Sequence, residues 1–298
     1  MAKTREIKKR IKAVGNISRI TKTMQMIATS KFARAQAAAT ATKPYTEGLF
    51  GLVTELAATA GDVQHPLING VQKKDGAKEV TLLITSDRGL CGPFNGSILR
   101  TFMQHIRATA SARPPAGSVE VVGRKGSAFL RYNSVEVATL HTQFGDKPSF
   151  EKVAALAQTY MDRFIAGEIT GVKIVSMRFL SVGCQTPDVT QLLPLRPPVK
   201  TGAKPGAEGA KSAQMYEFSP DAELLLADLL PETVKATLFQ IFNDAIVSEH
   251  VARMVAMKAA TDAAKKARKL LTRDYNRARQ AQITTELSEI IGGAAALG

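Results

Sequence analysis

Cysteine is scarce: the chain has two, Cys91 and Cys184, far apart and with no His or Cys beside them at metal-ligand spacing. That leaves a disulfide framework or a zinc site without support and fits a reducing compartment. No run of about 18 or more apolar residues occurs, so no segment is long enough to cross a bilayer as a helix. The opening stretch, MAKTREIKKRIKAVGN, is basic but lacks the apolar core of a secretion signal, and it reads as mature sequence. Tryptophan is absent and histidine is rare. His65, His105, His141 and His250 sit in unrelated contexts, so no base, nucleophile and orienting group converge by pattern. Cys91 is the one candidate nucleophile, and a small buried thiol is the simpler reading of it.

Proline and glycine are missing from the two ends of the chain, and that absence is informative. From residue 2 to 43 there is no Pro and Gly15 is the one Gly, while Ile7, Ile11, Val14, Ile17, Ile20, Met24 and Ile27 recur at helical spacing. Phe32 and Ala35 extend the stripe, Pro44 is expected to kink it, and YTEGLFGLVTELAATA supplies a second helical piece. Between Gly209 and Gly292 no Gly occurs, and Pro231 is the last Pro. Ser219 and Pro220 look like a helix start, and Pro231 is expected to open the longest piece. Fifty-nine helical residues, 232 to 290, would extend roughly 90 Å, about twice the width of a compact domain of this size. A lone projecting helix is unstable. Leu238, Ala245, Ala252 and Ala259, with Ile241, Ser248 and Val255 offset by three, give it a seam of small residues, and the N-terminal helix is the expected antiparallel partner.

Charge is the second asymmetry. The net charge is +14; residues 1 to 36 carry +9, residues 248 to 279 carry +6, and the remainder carries −1. Two separated segments hold the whole imbalance, so their partner is expected to be acidic. Nucleic acid is a weaker partner, because no aromatic residues are interleaved among the cations and no DNA-reading motif is present. Membrane adsorption competes with helix pairing for the same apolar stripe.

The middle alternates strand and helix. EVTLLITS, SVEVVG, SVEVATL, VKIVSMRFLS and DVTQLLPL read as strands, with helices in GPFNGSILRTFMQHIRATA, KGSAFLRYN and SFEKVAALAQTYMDRFIAGEI. The expected fold class is α/β: a long antiparallel coiled coil of N- and C-terminal helices plus a central Rossmann-like domain with a mostly parallel sheet. The expected boundaries are residues 1–60 for the first helix, 76–195 for the α/β domain, 196–213 for a flexible linker and 214–298 for the last helix. Within the domain, TSDRGLCG (85–92) follows the first strand but meets neither glycine-rich nucleotide fingerprint, so a phosphate loop, a tight structural turn and a partner contact stay open there. GRKGSA (123–128) is a weaker case of the same kind. The uncharged tip IIGGAAALG would be poorly soluble if bare, which points to a sleeve supplied by another protein or, failing that, a frayed end.

Four blocks, taken together, resemble gamma subunits of F-type ATP synthases: ISRITKTMQMIATSKFARAQ, TSDRGLCGPFN, SEHVARMVAMKAATDAAKKA and YNRARQAQITTELSEIIGGAAAL. They stand in family order and span nearly the whole chain. The resemblance implies a non-catalytic central-stalk rotor, wound inside a hexamer of alpha and beta subunits. Its base would meet an epsilon-type subunit and the c-subunit ring, coupling proton flow to ATP synthesis and regulating ATPase activity. It implies no catalytic residue, cofactor, metal or nucleic acid. By the same resemblance Lys22 faces an acidic beta segment, and Met24, Arg279, Gln280, Thr284 and Glu286 contact the hexamer. Asp87, Arg88, Gly89, Cys91 and Gly92 form the family's motif turn in the α/β domain. The implied location is peripheral, on the cytoplasmic face of a bacterial inner membrane ahead of the matrix side of a mitochondrial one. Cys184 stands alone near the linker, so dithiol regulation is unsupported. Two rival readings remain: a non-rotating coiled-coil adaptor, and an α/β enzyme built on residues 87–92.

Overall fold

The computed structural model describes residues 2–59, 65–70, 74, 76–109, 117–195 and 222–297. The linker expected at 196–213, the helix start expected at Ser219 and Pro220, and the first residues of the expected C-terminal helix lie outside them. The chain divides into two compact units. The first holds Met1–Lys31, Leu90–Gly92 and His250–Gly298; the second holds Phe32–Gly89 and Pro93–Glu249.

Two long helices run through the chain's ends. Helix α1 (Ala2–Thr59) continues past Pro44, so the expected second piece belongs to the same helix. In the second unit, the last helix, Ala222–Leu297, is already helical before Pro231, which corrects the expectation that Pro231 opens a helix. An internal proline removes one ladder bond and costs about 3 kcal/mol. Leu226, Leu230 and Val234 flank it at 0% exposure, and burying each contributes about 1.5–3 kcal/mol, so the surrounding core outweighs the defect.

Between them lie α2 (Pro66–Asn69), β1 (Lys78–Ile84), α3 (Phe94–Thr109), β2 (Val119–Val122), α4 (Arg124–Tyr132), β3 (Thr139–His141), α5 (Phe150–Ile165), β4 (Ile169–Ser181) and β5 (Cys184–Leu193); the last helix is α6. The sheet order is β3-β2-β1-β4-β5. The first four strands pair in parallel, and β4 and β5 form an antiparallel hairpin. The expected mostly parallel α/β sheet is therefore present. β1 reads as an unbroken apolar run because it is covered on both faces, with Val80, Leu82, Leu83 and Ile84 all buried. One face packs against Tyr160, Met161 and Phe164 of α5 and against Leu230, Val234, Leu238 and Phe242 of α6.

The strand expected over 134–140 shrinks to β3. Asn133 and Ser134 turn the chain out of α4, Ser134 at φ 55°, and the Val135 N–H returns to Leu130 O at 2.9 Å. Those residues end a helix and are not free to extend a strand.

Candidate functional site

Within the first unit the covered face of α1 repeats at Thr4, Ile7, Ile11, Val14, Ser18, Thr21, Gln25 and Ala28. Steps of three and four alternate without a break, the 3.5-residue period of a left-handed coiled coil. On α6 the covered positions from Met257 onward are Met257, Ala260, Thr261, Ala264, Ala267, Leu271, Tyr275, Ala278 and Gln282. Two contacts set the direction: Thr4 Oγ1 donates to Gln282 Oε1 at 3.0 Å, and the Thr21 and Thr261 hydroxyls lie 2.8 Å apart. As one number rises the other falls, so the pairing is antiparallel. In the second unit Thr42 Oγ1 donates to Gln240 Oε1 at 2.9 Å in the same sense.

This seam differs from the one the apolar pattern predicts. Ile17, Ile20 and Ile27 are each more than half exposed. With half-buried Met24 they form an outer stripe displaced one residue, about 100°, from the seam. On α6 the expected Leu238, Ala245 and Ser248 are buried, but Ala259 and Val255 are exposed, the latter at 53%. The physical reason is size. Ser18, Thr21, Ala28, Thr261 and Ala264 let two backbones approach closely, and the threonine hydroxyls satisfy one another or a preceding carbonyl. The larger apolar side chains go outside.

Around the seam lies an open cleft of about 1000 Å³ lined by Arg5, Lys8, Lys9, Lys12, Arg19, Lys22, Lys265 and Arg268, with no carboxylate in its lining. The ion pairs near it are local, Arg10 with Glu6 at 2.6 Å and Lys265 with Asp262 at 3.8 Å. Exposed pairs of that kind contribute little. Of the residues expected to contact a partner, Lys22 is exposed at the cleft, and Arg279, Gln280, Thr284 and Glu286 are exposed on α6. Thr284 Oγ1 donates back to Gln280 O at 3.0 Å, and Glu286 accepts from Gln282 Nε2 at 2.8 Å. Gln282 therefore ties Glu286 to Thr4, a role the sequence did not signal because Gln282 lies on no apolar period.

The turn after β1 is built from short-range bonds. The Ser86 N–H donates to Asn95 Oδ1, Ser86 Oγ donates to Arg88 O, and the Arg124 N–H donates to Asp87 Oδ1. Beyond Gly89, Cys91 is buried, and Gly92 sits at φ 56° where an added Cβ would meet Ala256 Cβ at 3.5 Å. Leu90–Gly92 thus pack on α6 within the first unit. The second glycine pair is packing as well: a Cβ at Gly123 would lie 2.2 Å from Thr85 O, and one at Gly126 would lie 2.7 Å from Thr85 Oγ1. Gly126 N–H donates to that hydroxyl.

In an open α/β sheet, ligands occupy the crevice outside the carboxyl ends of the strands. Here Phe242, Ala245 and Ile246 of α6 line that crevice together with Thr85, Gly123 and His141, and the cavity left is about 30 Å³. That is room for one water, not for a nucleotide. The remaining ionisable constellation is buried: Glu120 accepts from Tyr160 Oη at 2.7 Å and Arg163 at 2.9 Å, and lies 2.8 Å from His141 Nε2. Burial alone would raise the Glu120 carboxyl, but its hydrogen bonds with His141, Tyr160 and Arg163 outweigh that and hold it below the ordinary range.

A family profile described as ATP synthase matches residues 3–297. The chain is 39% identical over 299 residues to the ATP synthase gamma chain of Rhodopirellula baltica, covering 100% of this chain and 99% of that one. Against the ATP synthase gamma chain of Leptospira biflexa it is 41% identical over 298 residues, covering 100% of both. Among solved structures, a chain of the Euglena gracilis mitochondrial ATP synthase in its OSCP/F1/c-ring assembly superposes with a TM-score of 0.65 at 17% identity, covering 99% of this chain and 95% of that one. A chain of the Tetrahymena thermophila mitochondrial ATP synthase central stalk and c-ring gives 0.53 at 18% identity, with 81% and 99% covered. Those two likenesses concern the fold. The paired small-residue helices, the crevice filled by the chain's own α6 and full-length identity near 40% lead to one statement: the chain belongs to the ATP synthase gamma-chain family, the non-catalytic central-stalk subunit of that complex.

Proposed function

We propose that this chain is the turning shaft of its complex. The paired ends of α1 and α6 insert into a hexamer of alpha and beta subunits, and the α/β unit engages an epsilon-type subunit and the c ring. Rotation of the ring by proton flow turns the shaft and drives the beta sites through successive affinities. The observation that carries this reading is the seam itself. Small residues lock the two helices to one another, while the cations and the stripe at Ile17, Ile20 and Ile27 are left for a partner. Exposed charge pairs are individually weak and reversible, which suits a contact that must be made and released at every step. Lys22 and Met24 are the proposed beta-facing contacts on α1, and Arg279, Gln280, Thr284 and Glu286 those on α6. The proposed location is peripheral, on the cytoplasmic face of the inner membrane; among the described residues no helix is long and apolar enough to cross a membrane.

The test is ATP hydrolysis by purified alpha and beta subunits of the same organism, with and without this chain. A stable assembly with much faster multi-site turnover is expected; folded partners that neither assemble nor change rate would leave an adaptor. In vesicles bearing the whole complex, Met24→Lys should lower protons pumped per ATP more than it lowers hydrolysis. An unchanged pumping yield would remove Met24 from the coupling contacts.

A further inference from the structure

The surface of the second unit is not uniformly polar. Tyr132, at the end of α4, is 87% exposed, and Leu140, on the neighbouring strand β3, is 42% exposed. They face a common groove of about 480 Å³, also lined by Arg124, Ser127, Ala128 and Arg131, in which no carboxylate takes part. Among the described residues β3 is the edge of the sheet and pairs with β2 alone. The Ala138 N–H donates to Val119 O at 2.8 Å, towards β2. The Thr81 and Thr85 N–H groups donate to Ser118 O and Val122 O of β2, so Val121 faces β3, and its register opposite Leu140 turns Thr139 and His141 inward and leaves the Leu140 N–H and C=O pointing away from the sheet. An edge of this kind is a template for another strand.

Beneath it the edge is held rigidly. His141 is anchored from below through Glu120, which also engages Tyr160 and Arg163 of α5. The outward N–H and C=O of Leu140, next to the anchored His141, are therefore fixed before anything binds, which reduces the ordering cost of docking.

We propose that the groove between α4 and β3 receives an extended acidic segment of a partner protein, which adds a strand to β3. Backbone bonds to the outward N–H and C=O of Leu140 give the segment its direction. An apolar side chain on one of its faces seats between Tyr132 and Leu140, and carboxylates meet Arg124 and Arg131. This is the strand-addition mode of peptide recognition, with pockets for alternate side chains. The proposal rests on the reading of the chain as a subunit of a larger assembly.

Hydrogen exchange on the full chain, alone and in the complex purified in detergent, tests it. The Leu140 amide should slow by about tenfold or more in the complex, whereas the His141 amide, already bonded inward, should change little. A complex carrying the Arg131→Glu and Tyr132→Ser double variant should lose that protection while the variant chain keeps its exchange pattern elsewhere. Cross-linking from position 132 should capture a segment rich in Asp and Glu. Unchanged exchange at Leu140 in a complex that contains the chain would overturn the inference while leaving the subunit reading intact. Protection seen in native membranes but absent in detergent would assign the groove to lipid and overturn it equally. A chain that never enters the complex would instead sink the subunit reading.

Discussion

At the scale of single residues, Glu120 stands at the centre of a buried polar network in the second unit. It is 4% exposed and meets three polar side chains. Removing one member of a buried charged network leaves the others desolvated and unpaired, at about 3–5 kcal/mol. Glu120→Ala should therefore lower the urea stability of the full chain by that much, and Glu120→Gln by less. The pH dependence has a definite sign. Because folding holds this carboxyl below its ordinary value near 4.5, the unfolded chain takes up the proton first as pH falls. The stabilisation is complete above pH of about 4.5 and is lost as pH drops through the folded value. Glu120→Gln should flatten the acid limb of stability against pH; an unchanged limb would show that other carboxylates govern it. Asp244 works in the opposite sense. Burial raises it despite bonds from Gln240 and the Phe179 backbone, so its contribution declines as pH rises from its ordinary 3.8.

At the scale of elements, most strands and helices of the α/β unit were legible because they have a clean period or a buried run, α2 and the short β3 being the exceptions, and the two terminal helices because Gly and Pro are nearly absent there. The seam between those helices was legible only as far as Val14. At Ile17 the apolar residues step by three where the coiled coil requires four, and hydropathy cannot distinguish a side chain facing its own partner helix from one facing another protein. The candidate contacts show the same limit: Lys22 and Arg279 enter as proposals through block resemblance, whereas Gln282 and the Thr21–Thr261 pair, polar residues inside a seam, left no such signal. The distinction can be measured. Ala28 is 1% exposed and Ile27 is 52% exposed. Ala28→Leu should destabilise the isolated chain by about 1–3 kcal/mol through overpacking, while Ile27→Ser should stay within about 0.5 kcal/mol. Denaturant midpoints decide it, and equal effects at the two positions would refute the register.

At the scale of the molecule, the net charge of +14 resides in the two terminal segments, and eight Lys and Arg residues line one cleft. Such a field should speed encounter with an acidic partner and should be sensitive to screening. The Debye length falls from about 10 Å at 0.1 M salt to about 3 Å at 1 M. Recruitment of this chain to alpha and beta subunits, read as the concentration giving half-maximal ATPase stimulation, should require about tenfold more chain or greater at the higher salt. Insensitivity to salt would shift the weight to the outer apolar stripe. The antiparallel seam also bears on how the protein is made. The partner of residues 2–31 is the segment from His250 onward, and Leu90–Gly92 join the same unit. At ribosomal rates of about 5–20 residues per second, the N-terminal helix waits on the order of 10–40 seconds for its mate. From Ser18 to Ala28 the seam is Ser, Thr, Gln and Ala, which leaves little sticky surface bare on that stretch during the delay, so the side chains that allow close helix contact in the finished protein also protect the nascent one.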